Sequence, residues 1–188
     1  MTSVSDSARL VRHLTAAGET VACAESLTAG LLAAAIADTP GASLVLRGGV
    51  VAYAADLKVA LLGVDPRLVA EAGTVDPRVA VAMAEGVRVR LGSTWGLSTT
   101  GVAGPGPAEG KPEGTVHIAI SGPSGTATRA LRLHGGRAQI RLDTVTAALA
   151  LAVERTGAVG QTTRTAFDPR GTVGDTGPAT DEPTRRTT

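Results

Sequence analysis

The fold of this chain is decided by the stretch ETVACA at 19–24 and the segment ESLTAGLLAAAIA at 25–37 that follows it. ETVACA is a short, mostly apolar run, which is typical of a buried strand. From Thr28 onward the segment is rich in Ala and Leu, with no helix breaker after Gly30, and this predicts a helix. We expect Ser26 or Thr28 to be its N-cap, because their hydroxyl oxygens accept hydrogen bonds from the first helical N–H groups. A buried strand that turns into a helix is typical of an α/β domain.

The alternation of strands and helices continues on both sides of this unit. Apolar spacing and turn residues predict helices at 7–17, 28–37, 56–62, 77–91 and 137–155, and strands at 19–24, 43–53, 94–100, 115–121 and 126–134. Asp65-Pro66 opens a further turn or helix. Gly122-Pro123-Ser124-Gly125 joins the last two strands as a hairpin. The elements predict a three-layer α/β/α sandwich whose sheet is mostly parallel and has an antiparallel edge.

Residues 1–158 are predicted to form one domain, and residues 159–188 a disordered tail. The tail contains no Leu or Ile and is rich in Thr, Gly, Pro and Arg, so it has almost nothing to bury. Two interpretations of the tail stay open, a solvated segment without a role and a segment that binds a partner.

Composition excludes several classes of protein. The 188 residues carry a formal net charge of +1 and no basic block within the predicted domain, which argues against a nucleic-acid partner. The single cysteine, Cys23, excludes an intrachain disulfide and is typical of a small buried residue. No N-terminal signal pattern is visible, and no stretch approaches the ~20 apolar residues of a membrane helix. We therefore expect a cytoplasmic protein with no membrane partner.

The chain has two lysines, Lys58 and Lys111, against sixteen arginines. Arginine therefore supplies positive charge almost everywhere. A position that keeps lysine is a candidate for an amine that must lose its proton, which the guanidinium of arginine cannot do. Chance retention of either lysine is the alternative.

Polar residues follow three of the predicted strands. They are the segment 25–30, the pair Tyr53 and Lys58, and the loop 99–106. The carboxyl ends of parallel strands lie at one edge of a sheet, where open α/β sheets bind ligands. The three segments together therefore predict a ligand site at that edge.

The segment after the first strand allows two interpretations. Ser26 at a strand-to-helix turn is either a helix cap or a nucleophile whose hydroxyl projects from the sheet edge. The N–H groups at the start of the next helix could hold a phosphate or a developing oxyanion. Glu25 is either a loop carboxylate or a base.

Lys58 and Tyr53 also allow two interpretations. A lysine at the edge of an apolar domain can have its pKa lowered by desolvation, and a neutral lysine can serve a serine as a base. The alternative is a solvated lysine beside a tyrosine that only packs.

The loop after the third strand lacks both the P-loop spacing and G-x-G-x-x-G, which argues against a nucleoside triphosphate or dinucleotide site. It either closes over a ligand or only connects two strands.

His13, His117 and His134 are scattered without metal-ligand spacing, so we predict no metal and no cofactor. His117, inside a predicted strand, is more typical of a structural residue.

An ordered set of motifs resembles the CinA C-terminal domain family. In chain order they are AESLTAG at 24–30, PGAS at 40–43, GVVAY at 49–53 with Lys58, GV at 63–64, MAEG at 83–86, TGVAGP at 100–105 and KPEGTV at 111–116. The resemblance extends from about Ser7 to Arg155. Three departures are Ala29, where the family commonly has glycine, Asp76, where many members have serine, and the segment 105–109, which is not the usual Gly-Gly version. The long N-terminal domain of full-length family members is absent from this sequence.

The resemblance implies an amidase that converts nicotinamide mononucleotide and water into nicotinate mononucleotide and ammonia. It implies Ser26 as the nucleophile, Lys58 as the base and Tyr53 as an assisting group. The residues that it implies for substrate binding are Thr28, Gly30, Thr100, Gly101, Gly104, Arg137 and Arg141, with either arginine as the ligand of the phosphate. The expected partners are this nucleotide and a second copy of the chain, as a homodimer. Two alternatives are a non-catalytic competence- or damage-linked accessory protein and an amidase for another small amide.

Overall fold

A computed structural model of the chain describes residues 5–157. The predicted disordered tail at 159–188 lies outside the described residues. The described part contains six α-helices, namely α1 (Asp6–Ala17), α2 (Leu31–Ala37), α3 (Ala55–Leu62), α4 (Pro66–Ala72), α5 (Pro77–Arg90) and α6 (Arg137–Thr156). Its strands are β1 (Val21–Glu25), β2 (Leu46–Val51), β3 (Trp95–Gly101), β4 (Thr115–Gly122) and β5 (Gly125–Arg132). A short 3-10 helix, Ala42–Leu44, precedes β2.

The strands form one five-stranded sheet in the order β2-β1-β3-β4-β5. The strands β2, β1 and β3 are parallel, whereas β4 is antiparallel to both β3 and β5. This confirms the prediction of a mostly parallel core with an antiparallel edge. Because β1 lies between two parallel neighbours, its carboxyl end at Glu25 is flanked by Val51, the last residue of β2, and by Thr99, two residues before the end of β3.

Helices cover both faces of the sheet, which confirms the three-layer prediction. On one face α1, α2 and α6 bury a large cluster that includes Leu10, Ile36 and Leu149. On the other face α3 and α5 bury a smaller cluster around Val79 and Met83. With an aromatic content of 2%, both clusters depend on aliphatic side chains in close contact.

Small residues let α5 approach the sheet closely. A Cβ added to Gly96 of β3 would overlap the backbone carbonyl of Ala84 in α5, and one added to Gly86 would overlap the carbonyl of Leu62 in α3. Substitution of either glycine would therefore push α5 away from the elements that flank Lys58.

Two elements, α2 and β2, begin three residues later than predicted. The helix α2 begins at Leu31 rather than at Thr28, and its N-cap is Gly30 rather than Ser26 or Thr28. A turn occupies the intervening residues because the carboxylate of Glu25 satisfies the first helical N–H groups, so no hydroxyl cap is needed. The strand predicted at 43–53 is shortened to Leu46–Val51 because the 3-10 turn replaces its start.

No helix within residues 5–157 combines the length and the apolar character that crossing a bilayer requires.

Candidate active site

A buried lysine contacts a serine at the carboxyl edge of the sheet. Lys58 has no exposed surface, and its Nζ lies 3.1 Å from Ser26 Oγ. The same nitrogen donates to the carbonyl oxygens of Ala52 at 2.8 Å and Tyr53 at 3.1 Å. Among the described residues, no carboxylate lies within ion-pair distance of Lys58. The amine is therefore held by three neutral oxygens.

The surroundings of Lys58 favour its neutral form. Burial lowers the pKa of Lys58, and the more distant charge of Glu109 opposes this effect only in part. A neutral amine in contact with a hydroxyl can accept its proton. The contact between Ser26 and Lys58 is thus the arrangement expected of a nucleophile and its base.

The two partners meet because the strand pairing continues past the strand ends. Ser26 N donates to Thr99 O at 3.0 Å, and Ala52 N donates to Glu25 O at 2.9 Å. The first bond holds Ser26 beside β3, and the second holds Ala52, the first residue after β2, beside the end of β1. The chain then turns into α3, one turn of which brings Lys58 back over the end of β1.

Glu25 holds the start of α2 against the end of β1. This carboxylate is 1% exposed and accepts hydrogen bonds from Gly30 N at 2.9 Å, Leu32 N at 3.0 Å and Ala33 N at 2.9 Å. The prediction that the first N–H groups of this helix could hold a phosphate or an oxyanion is therefore wrong. A buried carboxylate of the chain itself already occupies them.

Two other N–H groups in the turn have no acceptor within residues 5–157. These are the backbone amides of Leu27 and Thr28, which directly follow the serine. The two residues are 3% and 0% exposed. A buried N–H without an acceptor costs about 1–3 kcal/mol. Donors in this position can stabilise an oxyanion that forms next to Ser26.

Arg141 fixes the carbonyl side of the same turn. Its Nε donates to Leu27 O at 2.9 Å and its Nη2 donates to Thr28 O at 2.8 Å. In a trans peptide the N–H points away from the C=O. By holding the Leu27 carbonyl towards α6, Arg141 therefore turns the Thr28 N–H in the opposite direction.

The phenol of Tyr53 lies apart from the amine of Lys58. Tyr53 is 52% exposed, and its hydroxyl accepts a hydrogen bond from Arg137 Nη2 at 2.7 Å. Arg137 Nη1 donates to Gly104 O at 2.7 Å. The side chain of Arg137 thereby joins the start of α6 to Tyr53, which follows β2, and to Gly104 in the loop after β3. The contact of Tyr53 with Lys58 is made by its backbone carbonyl.

The remaining predicted binding residues have partners inside the protein. The buried hydroxyl of Thr28 lies 2.7 Å from that of Thr99, and Thr100 Oγ1 donates to Thr74 O at 2.7 Å. A Cβ added to Gly101 would contact Val116 and Thr115, and one added to Gly104 would overlap the Glu113 carboxylate. At Gly30 there is space for a Cβ, but φ is +96°, a backbone conformation that residues with a side chain rarely adopt. The structure thus places Thr28, Thr100, Gly101 and Gly104 in contacts that shape the loops.

Glu109 and Thr74 were missed by sequence reasoning. Glu109 accepts from Thr74 N at 2.7 Å and from Thr74 Oγ1 at 2.6 Å, which ties the loop after β3 to the segment before α5. Burial raises the pKa of Glu109, but the hydrogen bonds of Thr74 and Val75 outweigh this and hold it below its ordinary value. The sequence carries no signal for the contact, because the two residues are 35 positions apart.

Cys23 is a core residue rather than part of the site. It is fully buried in β1, where burial and the charge of Glu25 raise the pKa of its thiol. A thiol in such surroundings is a poor nucleophile.

The comparisons with known proteins agree with these observations. The family described as the CinA C-terminal domain matches residues 4–156. A CinA-like protein from Frankia casuarinae is 57% identical over 132 residues, which cover 70% of this chain and 30% of that protein. The chain therefore spans less than a third of the length of this curated relative.

Solved structures share the fold. The competence/damage inducible protein CihA from Agrobacterium tumefaciens is 34% identical with a TM-score of 0.74, over 81% of this chain and 98% of that one. A competence-damaged protein (CinA) superfamily protein from Klebsiella pneumoniae is 28% identical with a TM-score of 0.78, over 81% and 96%. The motifs, the sheet order and the family match lead to one conclusion: the chain belongs to the CinA C-terminal domain family.

Proposed function

We propose that this chain is an amidohydrolase that converts nicotinamide mononucleotide and water into nicotinate mononucleotide and ammonia. The observation that carries the proposal is the distance of 3.1 Å between Ser26 Oγ and the buried Nζ of Lys58. The reaction needs an activated nucleophile, a group that stabilises the oxyanion and a proton for the leaving amine. Residues around Ser26 offer all three.

In the first half of the proposed reaction, Ser26 Oγ attacks the carboxamide carbon and its proton passes to the neutral Nζ of Lys58. The carbonyl oxygen becomes an oxyanion, which the N–H groups of Leu27 and Thr28 stabilise. The tetrahedral intermediate then breaks its C–N bond. Lys58 returns the proton to the departing nitrogen, so that ammonia leaves and an ester forms on Ser26.

In the second half, water attacks the ester carbon. Lys58 again accepts a proton, this time from the water, and then donates it to Ser26 Oγ as the ester bond breaks. The product is a carboxylic acid, and both residues regain their starting protonation states. A single base thus serves both half-reactions.

The substrate phosphate is assigned here to Arg137. Within residues 5–157 two of its N–H groups have partners, Tyr53 Oη and Gly104 O, and an arginine can hold a phosphate with two parallel hydrogen bonds. Arg141 is the less suitable candidate, because its guanidinium already holds two backbone carbonyls.

The direct test is ammonia release from nicotinamide mononucleotide, nicotinamide riboside and nicotinamide by the full chain. We expect turnover of the mononucleotide, and Ser26→Ala should abolish it while circular dichroism shows an unchanged fold. Turnover of other amides but not of the mononucleotide would support an amidase activity and contradict the proposed substrate. Absence of turnover on every amide would overturn the enzymatic proposal.

The last of these outcomes would favour the alternative of a non-catalytic competence- or damage-linked accessory protein. The burial of Lys58 argues for the enzyme. An amine desolvated without a carboxylate partner is expensive for the fold, and a structural contact at this position could be made by an uncharged side chain.

A further inference from the structure

A second group of basic side chains lies where β4 begins and β5 ends. A cavity of about 280 Å³ opens there, lined by Lys111, Thr115, His117, Ala130, Leu131 and Arg132. In the antiparallel pairing Thr115 is opposite Arg132 and His117 is opposite Ala130. Side chains that are opposite each other, or two residues apart on a strand, emerge on the same face of a sheet. Thr115, His117 and Arg132 therefore point into one space.

This space lies beyond the start of α5. Ala119, two residues after His117 on β4, is covered by Ala80 and Ala84 of α5. Because α5 begins at Pro77, the helix does not extend over His117. The loop after β3 supplies Lys111 in its place.

The imidazole of His117 has no hydrogen-bond partner within the described residues. Its Nδ1 is buried and unpaired. A histidine that serves only the packing of a strand normally has one of its nitrogens paired. The prediction of a structural role therefore leaves this ring without a partner. Because Nδ1 is buried, a ligand in the cavity would bind the ring through Nε2.

The cationic side chains of the cavity also have N–H groups without an acceptor in the described part of the chain. Lys111 Nζ donates to Ala72 O at 3.0 Å, which leaves two of its three N–H groups. Arg132 Nη1 donates to Thr115 Oγ1, and the other N–H groups of Arg132 have no acceptor within residues 5–157. Neither cation forms an ion pair with a described carboxylate.

The nearby acidic groups are already engaged. Glu109 accepts from Thr74 and Val75, and Asp76 forms an ion pair with Arg78 at 3.1 Å. Glu109 keeps its negative charge, because its donors are neutral, and the charge of Lys111 acts on it. The two cations Lys111 and Arg132 outnumber this one carboxylate, so the net charge around the cavity is positive.

We propose that this cavity is a second ligand site, one that binds the oxyanion group of a small molecule, a phosphate ester or sulfate, through Lys111, His117 and Arg132. Arg132 and Lys111 supply charged donors, and the imidazole supplies a third N–H. The site is separate from Ser26 and does not depend on the proposed amidase reaction.

The histidine makes binding depend on pH. Burial lowers the pKa of His117, the charge of Asp76 opposes this, and Lys111 and Arg132 lower it further. Together these effects lower the pKa, which favours the neutral ring when no ligand is bound. A bound dianion raises its pKa, so by linkage the affinity rises as pH falls through the titration of His117.

Sulfate is a suitable probe because it remains a dianion throughout the titration range of histidine. The experiment follows the imidazole signals of the full chain by NMR while sulfate replaces chloride at constant ionic strength. We expect a saturable shift of the His117 signals and a higher pKa for this ring in sulfate. His13 on α1, in the layer on the other face of the sheet, should show neither effect. A His117 signal that behaves like that of His13 would overturn the proposal.

Variants of two arginines distinguish binding at this site from nonspecific attraction of sulfate by surface charge. Arg132→Gln should weaken sulfate binding by about tenfold or more, since it removes a charged hydrogen bond. Arg129→Gln on the same strand is the control, because Arg129 pairs with Glu154 of α6 on the other face of the sheet. Equal losses in the two variants would overturn the proposal.

A third variant separates the two sites. Ser26→Ala should leave sulfate binding unchanged whether or not the chain proves to be an amidase. If Ser26→Ala removed the sulfate effect on His117, the anion would belong to the serine site and the second site would be contradicted.

Discussion

At the scale of single residues, Lys58 determines what the chain can do. Its ammonium form is penalised by burial and has no adjacent carboxylate in the part of the chain that the structure describes. A Lys pKa that is lower in the folded than in the unfolded chain means that the unfolded chain binds more protons between these two values. The free energy of unfolding therefore rises with pH across that window, and the same rise in pH produces the neutral amine that the proposed reaction needs.

Replacement of Lys58 by arginine should remove activity. The charge is kept, but a guanidinium does not lose its proton near neutral pH and cannot act as a base. We expect kcat to fall by about a hundredfold or more, measured as ammonia release. Lys111→Arg, at the only other lysine of the chain, is the matched control and should retain activity. If the Lys58→Arg enzyme were active, Lys58 would contribute only its positive charge and would not be the base.

Arg137 and Arg141 should differ in which kinetic constant they affect. Arg137→Gln should raise KM for the mononucleotide about tenfold or more, through the lost phosphate contact. Arg141→Gln should mainly lower kcat, because the carbonyls of Leu27 and Thr28 lose their anchor and the adjacent N–H groups lose their orientation. The reverse pattern in steady-state kinetics would assign the phosphate to Arg141.

At the scale of elements, the turn between β1 and α2 is the feature that places the serine. Ala29 in this turn has φ of +49°, a left-handed conformation that costs a residue with a Cβ about 1–2 kcal/mol. A glycine at this position would avoid that cost. Glu25 balances the strain by capping α2 with three hydrogen bonds.

Ala29→Gly should therefore stabilise the protein slightly. The relief of strain is partly offset by the larger entropy of glycine in the unfolded chain, about 0.4–1 kcal/mol, so we expect a gain of up to about 1 kcal/mol in the free energy of unfolding. Urea denaturation measures it. Ala34→Gly, at an exposed position inside α2, is the control and should cost about 1 kcal/mol. If Ala29→Gly lowered the free energy of unfolding as much as Ala34→Gly does, Ala29 would not be strained.

Glu25→Gln should destabilise the fold. The amide oxygen replaces only part of the carboxylate's hydrogen bonding, and its NH₂ group faces other donors. We expect a loss of about 1–3 kcal/mol in the free energy of unfolding. Glu71→Gln on the exposed surface of α4 should change it by less than about 0.5 kcal/mol. Equal effects of the two substitutions would mean that the cap contributes nothing to stability.

At the scale of the whole molecule, the sheet and its layers follow from local patterns. The spacing of Val79, Met83 and Val87 predicts α5, and the Gly-Pro-Ser-Gly turn predicts the β4–β5 hairpin. The contacts that refine the site could not be predicted in this way. Arg141 and Thr28 are 113 positions apart, and their meeting depends on how α6 packs over α2. Local sequence patterns cannot predict contacts between residues that are so far apart in the chain.

For the same reason local patterns gave the wrong start of α2. Ser26 and Thr28 are good caps by residue type, and nothing local reveals that the Glu25 carboxylate reaches the same N–H groups. That Ser26 and Lys58 lie at one edge of the sheet was predictable, because both follow neighbouring parallel strands. That the phenol of Tyr53 turns towards Arg137 instead was not.

The central claim is that Lys58 is a neutral base next to Ser26, and its own titration tests this most directly. A full chain labelled with 13C-lysine gives signals from two residues only, and Lys111→Arg assigns them. We predict that Lys58 titrates below the ordinary lysine value of about 10.4, and that kcat for the mononucleotide rises with pH over the same range. An ordinary lysine titration, or a kcat that does not follow it, would contradict the claim.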